Sequence, residues 1–383
     1  WRYKMHNIEN ENGTLMGLMQ KVNELAQRKE DYLADTRQVN FTVSDEGHAG
    51  IVLEGQGGVP TKVFAVNDVA SGQIATSAGL DTRTARRLQE SYPQEYSQLI
   101  NKIHEKEPKN KMFRTHNYSS SDLNPHTFGQ DGVVRAVVSD KFKTFDNINL
   151  LQSTLPQLME SNAGWKVVNG DVTDKRLYLQ LRSQNIEGAG SNVRDVMASG
   201  IGLSNSEVGF GSVAVYQMVW TLACLNGMET TNKTRKAHIT SAQGDSDTWG
   251  LLTNEAKDAD NKALELQVRD LTKAYASREM FDEVIEKMRK ASENTINGTA
   301  QEAVENLGKV IQLTKKETSN VLDGLMATIG QAGYAGEKVS QATMVNAVTA
   351  VSHMSNIDNR SDWQRRGSQV LDLSQSDWQR VAC

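Results

Sequence analysis

The sequence contains few cysteines, prolines and aromatic residues. Among 383 residues there are 2 cysteines and 5 prolines, and aromatic residues make up 6%. Two cysteines cannot form a disulfide framework, and they are typical of a protein in a reducing compartment. The charges nearly balance, with 42 Lys and Arg against 47 Asp and Glu. This balance argues against a protein that coats nucleic acid with its whole surface, but it permits a local basic groove.

Long apolar runs are also missing. A bilayer-spanning helix needs about 18–20 apolar residues. The longest such stretch, residues 213–225, is interrupted by Tyr216, Gln217 and Thr221. The sequence therefore predicts a globular protein without a membrane partner. Because the N-terminal residues do not resemble a signal peptide, we expect a cytoplasmic location.

The centre of the chain has the composition of β-strands. Period-two alternation and β-branched residues predict strands at Val133–Val138, Trp165–Asn169, Arg176–Leu181 and Val208–Val215. Apolar helices are predicted at Ile148–Met159 and Tyr216–Leu225, where they would cover one sheet face. We therefore expect an α+β fold with one mainly antiparallel central sheet covered by helices. After Asn254 the apolar periodicity is helical, which predicts a helical C-terminal part.

Local signals predict further elements and the domain organisation. Helix caps and periodicity indicate helices at residues 67–78, 81–91 and 93–105, whereas residues 106–126 read as a polar loop. The predicted divisions are an N-terminal helix and hairpin region (1–64), an α+β core (65–228), a polar loop (229–250) and the helical part (251–383).

Catalytic motifs are absent from the sequence. It contains neither His-Glu-X-X-His nor a Walker-type phosphate loop, so we predict no catalytic residue, no metal site and no cofactor. One alternative is a Mg²⁺ site among aspartates at predicted strand ends, although strand-end aspartates usually form turns. These are Asp140, Asp146, Asp171 and Asp174.

Several Asn, Glu and Gly residues lie next to the predicted strands. Asn205, Glu207, Gly209 and Asn226 are predicted to be structural turn and bulge residues, because Asn and Gly tolerate positive φ. Asn226-Gly227 would cap the helix that precedes it. Glu207 has an alternative role, since a Glu beside glycines at a strand start could hold a cation.

Basic residues concentrate in the middle of the chain. Residues 81–182 contain 15 Lys and Arg against 12 Asp and Glu. Strand alternation places Arg176, Tyr178 and Arg182 on one face, where cations could meet phosphates and Tyr178 could stack on a base. A solvated sheet face is the alternative interpretation. The predicted nucleic-acid-binding residues are Arg135, Lys141, Lys143, Lys166, Lys175, Arg176, Tyr178 and Arg182.

One segment resembles a known family. Residues 135–143, Arg-Ala-Val-Val-Ser-Asp-Lys-Phe-Lys, are followed by Asp146-Asn147. They resemble a motif of the phage/plasmid-like proteins grouped as domain-of-unknown-function family 932. Lys141-Phe142 replaces the Arg-Tyr of that motif, and the loop at 106–132 is longer. Further similar segments in the same order are Asn67–Ala70, Gly79-Leu80, Pro93–Asn101, Asp174–Leu179, Ser204–Gly209, Cys224–Met228 and Asn346–Thr349.

The resemblance implies a phage or plasmid protein that acts in a bacterial host cell. Some members of the family resemble single-strand annealing proteins, an analogy at the level of the fold. The first hypothesis is a homo-oligomer that binds single-stranded nucleic acid, most simply DNA, and anneals it in recombination. The alternatives are a metal-dependent enzyme acting on nucleic acid or a phosphorylated small molecule, and a phage structural or host-interaction protein.

Overall fold

The computed structural model describes most of the chain. The described residues are 15–55, 60–118, 129–190, 196–222, 226–236, 253–330, 338–355 and 357–383. They form an α+β fold with two mainly antiparallel sheets and a helical C-terminal region, which confirms the predicted fold class. Among the described residues, no helix combines the length and the apolar character needed to cross a membrane.

The first sheet has six strands in the order β1-β5-β6-β4-β3-β2. Among the strands that the structure describes in this sheet, only β4 and β6 pair in parallel. Its core contains Phe41, Ile51, Phe64 and Phe113, each at most 1% exposed. The strands are β1 (Lys29–Asp35), β2 (Val39–Val43), β3 (Ala49–Leu53), β4 (Lys62–Val66), β5 (Asn110–Asn117) and β6 (Gly132–Ser139).

Three helices cover the first sheet. They are α2 (Asp68–Ser77), α3 (Thr82–Ser91) and α4 (Pro93–Lys106). Asn67 caps α2 by accepting a hydrogen bond from the Ala70 amide, and Asp81 caps α3 in the same way. Cap side chains satisfy amide groups that a helix start leaves without an internal partner, which is why the cap residues mark these boundaries in the sequence. The three predicted helices are confirmed.

The second sheet has five antiparallel strands in the order β11-β10-β9-β8-β7. They are β7 (Trp165–Val172), β8 (Leu177–Ala189), β9 (Val196–Asn205), β10 (Val213–Thr221) and β11 (Asn226–Lys236). Leu177, Leu179 and Leu181 face a core shared with helices α1 (Leu15–Arg28) and α5 (Asn147–Glu160). The predicted helix at 148–159 is thus confirmed.

The other face of this sheet contains two glycines covered by aromatic rings. A Cβ at Gly202 would overlap the Tyr216 ring, and a Cβ at Gly200 would overlap Trp220. Strand glycines often mark such a close approach of another group. The Gly-X-Gly sequence at 200–202 therefore supports aromatic packing, and it does not form a phosphate loop.

In the described part of the C-terminal region there are seven α-helices. They are α6 (Asn254–Tyr275), α7 (Arg278–Glu293), α8 (Ala300–Val310), α9 (Lys315–Ile329), α10 (Gln341–Ala350), α11 (Ile357–Leu371) and α12 (Gln375–Ala382). Their core includes residues of the second sheet, such as Met197 and Val219. Gln364 on α11 also accepts a hydrogen bond from Gln180 on β8 at 2.6 Å. This region therefore packs directly on the second sheet.

Several predicted elements are wrong. The single central sheet is two, because β6 belongs to the first sheet while β7, β8 and β10 belong to the second. The predicted helix at 216–225 is mostly β10, a run of mainly apolar residues that is buried at every position, including the polar Gln217 and Thr221. Such a run fits a strand buried on both faces as well as a helix. Asn226-Gly227 therefore begins β11 instead of capping a helix.

Two predicted loops contain strands. β5 occupies much of the predicted loop at 106–126, and β11 extends into the predicted loop at 229–250. Residues 237–250 lie outside the described residues. Strands β1 to β4, most of which lie in the predicted N-terminal region at 1–64, belong to the first sheet.

Candidate nucleic-acid interface

Buried charges connect the two sheets. Arg114 on β5 is 0% exposed, and its Nε and Nη2 donate to the two carboxylate oxygens of Asp31 at 3.1 Å each. It also donates to Asp146 Oδ1 and to the Glu207 carbonyl, both at 2.7 Å. Lys29 Nζ lies 2.5 Å from Asp146 Oδ2. Burial opposes ionisation of Asp146, but Arg114 and Lys29 hold its pKa below the usual range, so Asp146 stays charged.

A β-bulge sets the position of Arg135. The register between β5 and β6 shifts by one residue at Arg114/Thr115, which leaves Arg135 on β6 without a partner on β5. Bulges redirect side chains in this way, often beside functional sites. The Arg135 side chain is 9% exposed, and its Nη1 donates to the Glu207 carboxylate. Its Nε and Nη2 are buried and have no hydrogen-bond partner among the described residues.

The segment after β9 holds these groups in place. Glu207 Oε1 accepts a hydrogen bond from the Asn147 amide at 2.6 Å. Buried Asn205 donates to the Phe145 carbonyl at 2.8 Å and to Asn147 Oδ1 at 3.0 Å. Gly209 has φ +83°, a conformation that favours glycine. These contacts agree with the predicted structural roles, and Glu207 binds Arg135 instead of a metal cation.

The turn between β7 and β8 presents two adjacent cations. The Thr173 amide donates to the Arg176 carbonyl at 2.9 Å, which closes the turn. Ser206 Oγ donates to the Lys175 carbonyl at 2.7 Å and so fixes the turn against the segment after β9. Phe210 in that segment is 39% exposed, and Lys175 Nζ lies 5.6 Å from the centroid of its ring. An exposed ring therefore lies beside an exposed cation.

Two clefts meet at this turn, and both are lined by Lys175 and Arg176. The first cleft, of about 480 Å³, lies between the sheets and reaches Arg135, Glu207 and His116. The second cleft, of about 340 Å³, lies between the second sheet and α11. It is also lined by Phe210, Tyr216, Glu229, Asp362 and Arg365.

The structure brings three of the eight predicted residues together at the first cleft, namely Arg135, Lys175 and Arg176. Tyr178 is 3% exposed, and its hydroxyl accepts a hydrogen bond from Arg176 Nη1 at 3.2 Å. The prediction that Tyr178 stacks on a base is therefore wrong, because the ring is buried in the sheet. Arg135 is also not on an open sheet face, since the bulge directs it into the cleft.

The remaining predicted residues lie elsewhere. Lys166 and Arg182 are cross-strand neighbours, with Arg182 in the middle of β8. At about 3.3 Å per residue, Arg182 lies about 20 Å along the strand from Arg176. Lys143 pairs with Asp260 on α6 at 3.0 Å. Lys141, two residues before it, is half-buried. The eight residues therefore do not form one continuous surface.

The alternative magnesium site is not assembled. Asp146 binds Arg114 and Lys29, whereas Asp171 pairs with Lys21 at 3.2 Å. Within the described part of the chain, no three His, Cys, Asp or Glu side chains converge as metal ligands would. Burial, followed by the charges of Arg135 and Arg114, lowers the pKa of His116 to about 3, so this imidazole is neutral at pH 7.

The sequence reasoning overlooked two residues of the site. Phe210 is an aromatic residue between two glycines, a pattern that could have indicated an exposed ring. Arg114 gave no local signal, because its partners Asp31 and Asp146 lie 83 and 32 residues away.

Comparisons with known proteins find no match: no protein-family model, no curated protein and no solved structure corresponds to this chain. The resemblance to the phage/plasmid-like family therefore stays a prediction. The chemistry of the two clefts is therefore the basis of the functional proposal.

Proposed function

We propose that this protein binds single-stranded nucleic acid, most simply DNA, at the turn where the two clefts meet. The observation that carries the proposal is the exposed Phe210 ring beside Lys175, with Arg176 next to it. Proteins that bind single strands without sequence preference combine cations for the phosphates with aromatic rings for the bases. This turn offers both within the length of one nucleotide.

The two cations would contact consecutive phosphates. Lys175 is exposed and Arg176 is half-buried, and the hydrogen bonds of the turn fix both backbones. A fixed backbone lowers the entropy that binding must remove from these side chains. Each phosphate contact to a single strand contributes about −0.7 to the slope of log affinity against log salt.

Arg135 extends the cationic surface into the first cleft. Its buried Nε and Nη2 have no partner among the described residues, and a phosphate oxygen would supply one. Buried donors that lack a partner cost about 1–3 kcal/mol each, so an anion that accepts from them would gain that energy on binding. Glu207 keeps the guanidinium in place while leaving these two groups for the ligand.

The test is a fluorescence-anisotropy salt titration with a labelled single-stranded oligonucleotide. Lys175→Ala/Arg176→Ala should flatten the salt slope by about 1–1.5. The matched control is Lys315→Ala/Lys316→Ala, which removes two exposed charges at the start of α9 and should leave the slope unchanged. Phe210→Ala should weaken binding by about 1–3 kcal/mol without changing the slope, because stacking releases no counterions. Phe210→Leu keeps an apolar side chain and should be as weak as Phe210→Ala.

Three results would contradict the proposal. Equal slopes for the two double variants would place the phosphate contacts elsewhere. No binding by the wild type at low salt would exclude the function altogether. Metal-dependent turnover of the oligonucleotide would instead support the enzymatic alternative.

A further inference from the structure

Helices α2 and α3 form a pair with a tight, well-defined turn. Four residues, Ala78–Asp81, join them. The Leu80 amide donates to the Ala75 carbonyl at 2.9 Å, and Gly79 has φ +77°, so α2 ends in a glycine-centred cap. Asp81 then caps α3 by accepting from the Arg83 and Thr84 amides. A helix pair joined by a turn of three to four residues that contains Gly is the arrangement of a helix-turn-helix.

The inner face of this helix pair is buried and apolar, whereas the outer face of α3 is exposed and basic. Ala75 on α2 is 0% exposed and Ala85 on α3 is 4% exposed, and both belong to the core of the first sheet. On the outer face of α3, Arg83, Arg86 and Arg87 are exposed. Residues three and four apart share a helix face, so the three arginines form one stripe. The stripe ends at Glu90, which pairs with Arg86 at 3.2 Å.

We propose that α3 is a recognition helix that binds the major groove of double-stranded DNA. In helix-turn-helix proteins the second helix enters this groove, and residues of its N-terminal part contact base edges. In this chain those residues are Thr82, Arg83 and Thr84, all exposed. Arginine pairs with guanine through two hydrogen bonds, and threonine suits several bases.

The surroundings of α3 supply contacts for the DNA backbone. Lys109 Nζ donates to the Ser77 carbonyl at 2.7 Å, which places a further cation at the end of α2. The acidic residues of α3 and its cap are Asp81 at its start and Glu90 at its end. Asp81 is engaged by the amides that it caps, and Glu90 lies seven residues beyond Arg83. The N-terminal half of the outer face is therefore positively charged, as a phosphate backbone requires.

The experiment compares a duplex and its separated strand as ligands of the full chain. Arg83→Ala/Arg87→Ala should flatten the salt slope for the duplex by about 2, since each contact to B-form DNA contributes about −0.9. Arg83→Lys/Arg87→Lys restores both charges and should restore the slope. Lys315→Ala/Lys316→Ala serves again as the control for lost charge. A duplex with glucosyl groups on cytosine C5, which fill the major groove, should bind the wild type at least tenfold more weakly.

This proposal and the single-strand proposal can fail separately. Lys175→Ala/Arg176→Ala should leave duplex binding unchanged, and Arg83→Ala/Arg87→Ala should leave single-strand binding unchanged. A wild type that binds single strands but not duplexes overturns the helix-turn-helix proposal alone. Equal binding to the plain and glucosylated duplexes overturns the placement in the major groove. Equal weakening of duplex binding by the Arg83/Arg87 and Lys315/Lys316 variants would show a general effect of charge, and would overturn the proposal too.

Discussion

Replacing Arg114 with methionine tests the charge network that joins the two sheets. The guanidinium is fully buried and donates to Asp31, Asp146 and the Glu207 carbonyl. Methionine fills similar space but leaves both carboxylates with Lys29 alone. Removing one partner of a buried ion pair costs about 3–5 kcal/mol, because the remaining charge is not compensated. We expect Arg114→Met to lower the free energy of unfolding by this amount.

Urea denaturation followed by circular dichroism measures the loss. With an m value of about 3 kcal/mol/M, the midpoint should fall by roughly 1–1.7 M. Arg114→Met leaves two largely buried carboxylates, Asp31 and Asp146, without the arginine. Arg114→Met/Asp146→Asn removes one of these two charges, so it should be more stable than Arg114→Met alone. A double-mutant cycle then gives the coupling between Arg114 and Asp146. A loss below about 1 kcal/mol for Arg114→Met would refute the reasoning.

We also expect the stability of Arg114→Met to depend on pH differently from that of the wild type. In the wild type the pKa of Asp146 is lowered, so its contribution to stability is present above the unfolded pKa of about 3.9 and is lost as the pH falls through the folded value. Without Arg114, burial raises the pKa of Asp146 with less opposition. Protonation of Asp146 then removes a buried charge and stabilises the variant. The difference in stability between the wild type and Arg114→Met should therefore shrink toward about pH 4. A difference in stability that stays constant with pH would show that Asp146 is not the uncompensated charge.

Two further predictions concern His116 and Gly202. The pKa of His116 is lowered to about 3, so its contribution to stability is complete above the unfolded pKa and is lost as the pH falls below it. Between about pH 7 and about pH 5.5, His116→Gln should lose roughly 1 kcal/mol less stability than the wild type, measured by urea denaturation, and equal losses would contradict the shift. Gly202→Ala should lower stability by about 1–3 kcal/mol because the new Cβ overlaps the Tyr216 ring. Gly72→Ala, in α2 with no atom closer than 3.6 Å to the new Cβ, should be neutral or stabilising, and equal melting temperatures for the two variants would contradict the packing argument.

The elements that the sequence predicts well have local causes. Helices α2 and α3 begin at Asn67 and Asp81 because each cap is made by a side chain within three residues of the amide it binds. The sequence predicts part of β10 as a helix because its buried run shows neither the period of a strand nor that of a helix. It predicts a loop in place of β5 because β5 is rich in polar residues, and the buried Arg114 has partners distant in sequence. Local patterns do not encode such partners.

The candidate site shows the same limit. The sequence predicts a polar turn around Lys175 between two strands, and the structure has this turn, because polar residues between two strands favour a turn. It failed for Tyr178, where alternation gave the correct face of β8 but could not show that this face is buried. The position of Arg135 depends on a single extra residue in β6, and a bulge has no reliable sequence signature unless it contains glycine.

Gln73 belongs to the structural frame that the two proposed binding surfaces share. Its Oε1 accepts from the Val137 amide on β6 at 2.7 Å, and its Nε2 donates to the Val208 carbonyl at 2.7 Å. The side chain thus ties α2 both to the strand that carries Arg135 and to the segment that carries Phe210. Neither double variant, at Lys175/Arg176 or at Arg83/Arg87, removes an atom from these two hydrogen bonds. Each variant therefore changes the charge of one surface while the frame shared by both is kept, so a selective loss of single-strand or duplex binding identifies the surface responsible.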